Sequence, residues 1–118
     1  MKLNSFGNKE KLKSEKLISG IFQNGKFFVK GSIRTCYIEN NFGSNRIAVS
    51  VPKRNFKRAV DRNRIKRLMR EAYRLNKSKF TFSKYFDIMF VFTGKKLPEY
   101  IDIFENTAKA LAFLSSKL

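Results

Sequence analysis

The chain has no histidine and no tryptophan, a single cysteine, two prolines, and only nine acidic residues among 118. The missing imidazole excludes histidine acid-base catalysis, Ser-His and Cys-His nucleophiles, and histidine-ligated zinc. Cys36 has no partner for an intrachain disulfide, a usage that suits a reducing cytoplasm. Beside Tyr37 and Ile38 in a strand-like run, it reads as a small buried residue. No apolar run reaches the roughly 18 residues of a membrane span. The N-terminal MKLNSFGNKEKLK carries charge without the apolar stretch of a secretory signal. The expectation is a cytoplasmic protein with no membrane partner. The acids are scattered with no paired spacing, which argues against a self-contained metal-dependent nuclease. No catalytic residue and no metal ligand are expected on the chain itself.

Against the nine acids stand 26 lysines and arginines, a formal charge of +17. Such an excess calls for a polyanion. Hydrophobic residues still make up 42% and aromatics 14%, with 13 phenylalanines, which is too apolar for disorder. The length supports one core, so residues 1–118 read as one domain, with residues 1–11 as a loose, solvated basic arm. From Ser14 as N-cap, Leu17, Ile18, Ile21 and Phe22 recur at helical spacing, and Asn24-Gly25 ends that helix. Residues 27–39 and 46–51 are rich in β-branched and aromatic side chains around a turn with Gly43, which predicts two or three antiparallel strands. After Pro52 the period becomes helical from about Lys57 to Asn76, with Ile65, Leu68, Met69, Ala72 and Leu75 on one face.

Tyr85 to Thr93 reads as a buried strand, with Phe86, Ile88, Phe90 and Phe92 on one side and Met89 and Val91 on the other. Pro98 suits the first turn of a last helix whose apolar positions are Ile101, Phe104, Ala108, Leu111 and Ala112. Phe86, Phe90, Phe92 and Phe104 are assigned to the core, whereas Phe27 and Phe28 fit either core or surface. The order helix, strands, helix, strand, helix predicts an α/β layered domain.

Function concentrates between Lys53 and Arg74. Ten basic residues stand there, Lys53, Arg54, Lys57, Arg58, Arg62, Arg64, Lys66, Arg67, Arg70 and Arg74, opposed only by Asp61 and Glu71. On a helical projection from Ile65, Asn63, Lys66, Arg67, Arg70 and Arg74 fall between about 100° and 200°, opposite the apolar face. Like charges at this spacing repel, and a polyphosphate relieves the repulsion. Arginine suits the task because its planar fork takes phosphate bidentately and stacks on bases. A solvated helix face normally mixes both signs, and this one does not. Asn63 adds no charge between two arginines, so its amide either hydrogen-bonds RNA, bound water or a loop, or caps local backbone. Asp61 fits a cap or a pairing with Arg58 or Arg64.

The run Asn45-Arg46-Ile47-Ala48-Val49-Ser50-Val51-Pro52-Lys53-Arg54, with Ala59-Val60-Asp61-Arg62-Asn63-Arg64-Ile65-Lys66-Arg67-Leu68-Met69-Arg70-Glu71, closely resembles the protein subunit of bacterial ribonuclease P. The Arg62-Asn63-Arg64 core looks like that family's signature, and the resemblance extends more weakly over nearly the whole chain. It implies an α+β sandwich of three helices and a four-stranded sheet, with a left-handed βαβ crossover around the basic helix. It implies a protein that binds a catalytic RNA and the 5′ leader of precursor tRNA and assists endonucleolytic 5′ maturation of tRNA at low Mg2+. In the family the RNA carries the chemistry and holds most of the Mg2+.

Carried over by position, Lys53, Arg54, Arg58, Arg62, Asn63, Arg64, Lys66, Arg67, Arg70 and Arg74 would contact that RNA. Ile18, Phe22 and Tyr37 would line the leader cleft, formed by the first helix and one face of the sheet. Ile18 stands where the family often has an aromatic, and the strand register over Arg34 to Ile38 stays open by one residue, which would exchange the faces. A monomer in isolation, one copy per catalytic RNA, is implied. A ribosomal or other structural RNA-binding protein accounts for charge and size equally well. A helix-turn-helix DNA reader fits less well, because the basic helix follows a strand.

Overall fold

In a computed structural model the described residues are 15–117. The basic arm and the Ser14 cap expected from the sequence lie outside them. The elements are α1 (Glu15–Asn24), β1 (Lys26–Lys30), β2 (Ile33–Asn40), β3 (Arg46–Ser50), α2 (Ala59–Asn76, prolonged by a 3-10 turn over Lys77–Lys79), β4 (Tyr85–Phe92) and α3 (Tyr100–Ser115). Three helices and a four-stranded sheet form an α+β fold, as expected.

Local chemistry sets the joints. α1 stops where the Gly25 N–H donates to the Ile21 carbonyl at 2.8 Å. A Cβ at Gly25 would lie 2.5 Å from the Ile21 oxygen and 2.7 Å from that of Tyr37, so only glycine passes there. β1 turns into β2 through Gly31 at φ 59, a left-handed conformation that costs glycine little. After β2 the Phe42 N–H donates to Asn40 Oδ1 at 2.8 Å, the side-chain turn that favours asparagine in loops.

The sheet order is β1-β2-β4-β3. β1 with β2 and β2 with β4 are antiparallel, but β3 pairs with β4 in parallel. The antiparallel reading taken from residue pattern therefore fails for β3, while the parallel βαβ arrangement implied by the family resemblance is the one present. The reason is non-local: β4 is apolar on both faces, so it takes the centre, where both are covered, and the five-residue β3 goes to the edge. α2 makes the crossover between these parallel neighbours.

Side chains alternate cleanly. Ile33, Tyr37, Ile47, Phe86, Ile88, Phe90 and Phe92 pack with Ile65, Met69, Ile103 and Leu111 in the main core, under α2 and α3. On the other face Ile21 of α1 packs on Cys36 and Met89, flanked by Ile18, Ile38, Ala48 and Val91. The expected division of β4, aromatics with Ile88 to one side and Met89 with Val91 to the other, is what the fold uses.

Two helices differ from expectation. α2 begins at Ala59, with Arg58 extended as its N-cap, and buries Tyr73 and Asn76 beside Ile65, Met69 and Ala72, leaving Leu68 and Leu75 half-buried. The Asn76 amide donates to the Ala72 and Phe104 carbonyls at 2.9 and 3.2 Å, tying α2 to α3. α3 buries Ile103, Thr107, Ala110, Leu111 and Leu114, while Ile101 is 53% exposed and Ala112 is also exposed. Apolar residues surround most of α3, so contact with α2, β1 and β2 chose the buried side, and Ile101 lies about 160° around from Ile103. Pro98 sits two residues ahead of the helix rather than in its first turn.

Candidate nucleic-acid interface

The core side of α2 is anchored, so its outer side is fixed in direction. Asn63, Arg64, Arg67 and Arg70 are exposed, with Lys66 and Arg74 half-buried beside them. Lys53 and Arg54 occupy the turn after β3, and Arg58 the cap, all exposed. The structure thus leaves these sequence-derived basic residues exposed or half-buried along the segment that runs from the end of β3 through α2.

They are not equivalent. The Arg62 Nη1 donates to the Phe56 and Lys57 carbonyls, both at 2.8 Å. Its guanidinium clips the segment entering α2 and holds Phe56, whose buried ring packs on Phe92 at 5.9 Å. Arg74 Nε donates to Glu71 Oε2 at 3.0 Å, and a second nitrogen reaches Glu71 Oε1. Those hydrogen bonds hold the Glu71 carboxyl below its usual range and raise Arg74 above its own. Among the described residues the other eight basic side chains of the ten have no ion pair or hydrogen bond, and neither does Asp61, which neither caps nor pairs with Arg58 or Arg64. Asn63 caps nothing either. Eight cations unpaired among the described residues, with the Asn63 amide beside them, can donate hydrogen bonds to anionic oxygens.

The second expected surface needs correction. Ile18 is half-buried in the α1 contact with the sheet, and Phe22 is 58% exposed on α1. Tyr37 does not join them. It is 7% exposed on the opposite face, its ring 5.7 Å from Phe28 and 5.6 Å edge-on to Phe86. The register pairs Cys36 with Phe27 and Met89, which turns Arg34, Cys36 and Ile38 toward α1. The residues missed there are Phe27, 60% exposed, and Arg34, whose guanidinium carbon lies 4.1 Å over the Phe27 ring. A period-two count could have found them, but Cys36, Tyr37 and Ile38 are consecutive apolar residues and fix no phase. Cys36 is buried as expected, and burial pushes its thiol up against the opposing pull of Arg34.

Near this face Arg46 Nε and Nη2 donate to Asp87 Oδ1 and Oδ2 at 2.7 and 2.8 Å, while Asn40 Nδ2 donates to the same carboxylate at 2.9 Å. The Phe42 ring lies over Arg46 at 4.5 Å.

Fold and surface together define a small mixed-sheet α+β protein that presents one cationic helix outward. Residues 6–114 match the family model described as Ribonuclease P, and the chain belongs to that family. A relative from Porphyromonas gingivalis, called ribonuclease P protein component, is 38% identical over 112 residues, covering 84% of this chain and 82% of its own. One from Petrotoga mobilis, of the same name, is 37% identical over 87 residues, 74% of this chain and 71% of its own. The solved RNase P protein of Thermotoga maritima superposes with a TM-score of 0.74 at 24% identity, covering 86% of this chain and 94% of its own. That of Staphylococcus aureus gives 0.72 at 22%, covering 91% and 95%, and both establish the fold.

Proposed function

We propose that this chain is the RNA-binding protein component of a ribonuclease P ribonucleoprotein, with residues 1–118 working as one domain. Lys53, Arg54, Arg58, Asn63, Arg64, Lys66, Arg67 and Arg70 hold the catalytic RNA, and Arg62 and Arg74 shape that surface. The face under α1, with Phe22, Phe27 and Arg34, holds the single-stranded 5′ leader of precursor tRNA by stacking and charge. The chemistry, 5′ maturation of tRNA, belongs to the RNA. Among the described residues no three His, Cys, Asp or Glu side chains gather as metal ligands would. In this reading the Mg2+ is held mainly by the RNA, and the protein lowers the Mg2+ requirement by neutralising phosphate. It acts as a monomer, one copy per RNA, in the cytoplasm; no described helix is long and apolar enough to cross a membrane.

The observation that carries this reading is the row of unpaired cations on α2 in a chain of this family. The test is cleavage of 5′-labelled precursor tRNA by the cognate RNA at low Mg2+, with wild-type protein and with Arg64→Ala/Arg67→Ala/Arg70→Ala. Accurate cleavage with wild type and little with the variant is expected. Equal rates with and without protein overturn the proposal, and cleavage by protein alone makes it a nuclease.

A further inference from the structure

β1 has five residues and β2 eight, and their pairing runs only from Lys26 with Tyr37 to Lys30 with Ile33. Ile38, Glu39 and Asn40 therefore extend past the edge strand with no β1 partner. α1 ends beside this gap, pinned by the close passage of Gly25 described above. The result is a notch of about 380 Å3 at the sheet edge, whose lining includes Asn24, Lys26, Tyr37, Glu39, Lys84 and Lys117.

Three lysines from three parts of the chain converge here: the start of β1, the turn before β4, and the segment after α3. Among the described residues one carboxylate opposes them, with Glu39 Oε2 at 3.8 Å from Lys84 Nζ, a long and largely solvated pair that binds weakly. The Lys117 ammonium is held in place 5.5 Å from the Tyr37 ring and 4.8 Å from that of Phe113. The carbonyl end of α1 contributes about half a negative charge. Three ammoniums against one carboxylate and that half charge leave about +1.5 in a concave site. Tyr37 and Phe86 are buried beneath it and present no face for stacking a base. The notch lies along β1, at the opposite edge of the sheet from β3 and the basic turn that follows it.

We propose that this notch binds a phosphate group of a nucleotide, as a second anion site distinct from the α2 surface. Its ligand is a terminal phosphomonoester or an internal phosphodiester of RNA. The test uses the full chain and backbone amide spectra, titrated with uridine 5′-monophosphate, with the dinucleotide UpU, and with uridine. Saturable shifts at Gly25, Lys26 and Glu39 with at least one phosphate compound, and none with uridine, are expected. Preference for the monophosphate identifies a chain terminus as the source, and equal binding of UpU an internal linkage; both support the site. Lys84→Ala/Lys117→Ala should weaken these shifts at least tenfold while shifts at Asn63 and Arg67 titrate as in wild type. Lys26→Ala, an exposed change, serves if the double variant loses the dispersed spectrum of the fold. Shifts confined to α2, equal shifts with uridine, or unaltered affinity in the variants overturn the site, whatever the outcome for α2.

Discussion

Arg62 and Arg67 stand five positions apart on one helix and do different work. The Arg62 fork closes on two carbonyls of its own chain, whereas Arg67 and Arg70 have no partner among the described residues. Arg62→Ala should lower the stability of the free protein by about 1 to 2 kcal/mol, the value of hydrogen bonds from a charged donor in a partly wet site. Arg67→Ala and Arg70→Ala should stay within about 0.5 kcal/mol of wild type. Thermal unfolding without RNA checks this, and identical midpoints for all three would remove the distinction.

Arg46→Ala leaves the buried Asp87 carboxylate with Asn40 as its remaining side-chain partner, and should cost about 3 kcal/mol or more in urea denaturation. Cys36 supplies a pH dependence. Burial raises its thiol in the folded state, so its contribution is intact below the ordinary thiol range and is lost as pH rises through it, because the unfolded chain ionises first. Iodoacetamide at pH 8 should therefore modify Cys36 far more slowly in native protein than in urea, and equal rates would contradict the burial.

Elements were legible where composition differs between faces. β4 carries aromatics on one side and Met89 with Val91 on the other, and α2 carries cations opposite Ile65 and Met69, so their phases could be read from spacing alone. β2 and α3 are apolar on more than one side, so tertiary contact chose their phase, which is why Tyr37 and Ile101 were misplaced. The parallel pairing of β3 could not be read from periodicity, since it depends on a strand that begins 35 residues after β3 ends, and only the family resemblance implied it as a βαβ crossover. Of the site, the α2 surface could be read from charge, while the free or engaged state of each arginine depends on neighbouring carbonyls. The corrected face of β2 makes a prediction of its own. Phe22→Ala and Phe27→Ala should each weaken binding of a single-stranded leader by about 1 to 3 kcal/mol if a base stacks there, and Tyr37→Phe should leave it unchanged. A loss on Tyr37→Phe as large as the other two would return the cleft to the wrong face.

Across the whole molecule the acids are few and partly engaged. Asp87 is consumed by Arg46 and Glu71 by Arg74, so the α2 surface keeps ten basic residues less Arg62 and Arg74, or eight cations unpaired among the described residues. If six to eight of them meet phosphates, the slope of log affinity against log salt should be about −4 to −7. Filter binding to the cognate RNA between 50 and 200 mM salt measures it, as a loss of about 10² to 10⁴ in affinity; a slope shallower than about −2 is incompatible with the surface described.

The central place of β4 also has a consequence in time. Two of the three strand pairings require β4, so beyond the β1–β2 hairpin the sheet cannot close until Phe92 has been synthesised. A nascent chain that has delivered α2 but not β4 displays the whole cationic stripe with no platform to aim it, and it does so beside ribosomal RNA. The order of strands therefore separates the moment this chain can attract nucleic acid from the moment it can discriminate among partners, and the interval is set by translation of the residues between Asn76 and Phe92.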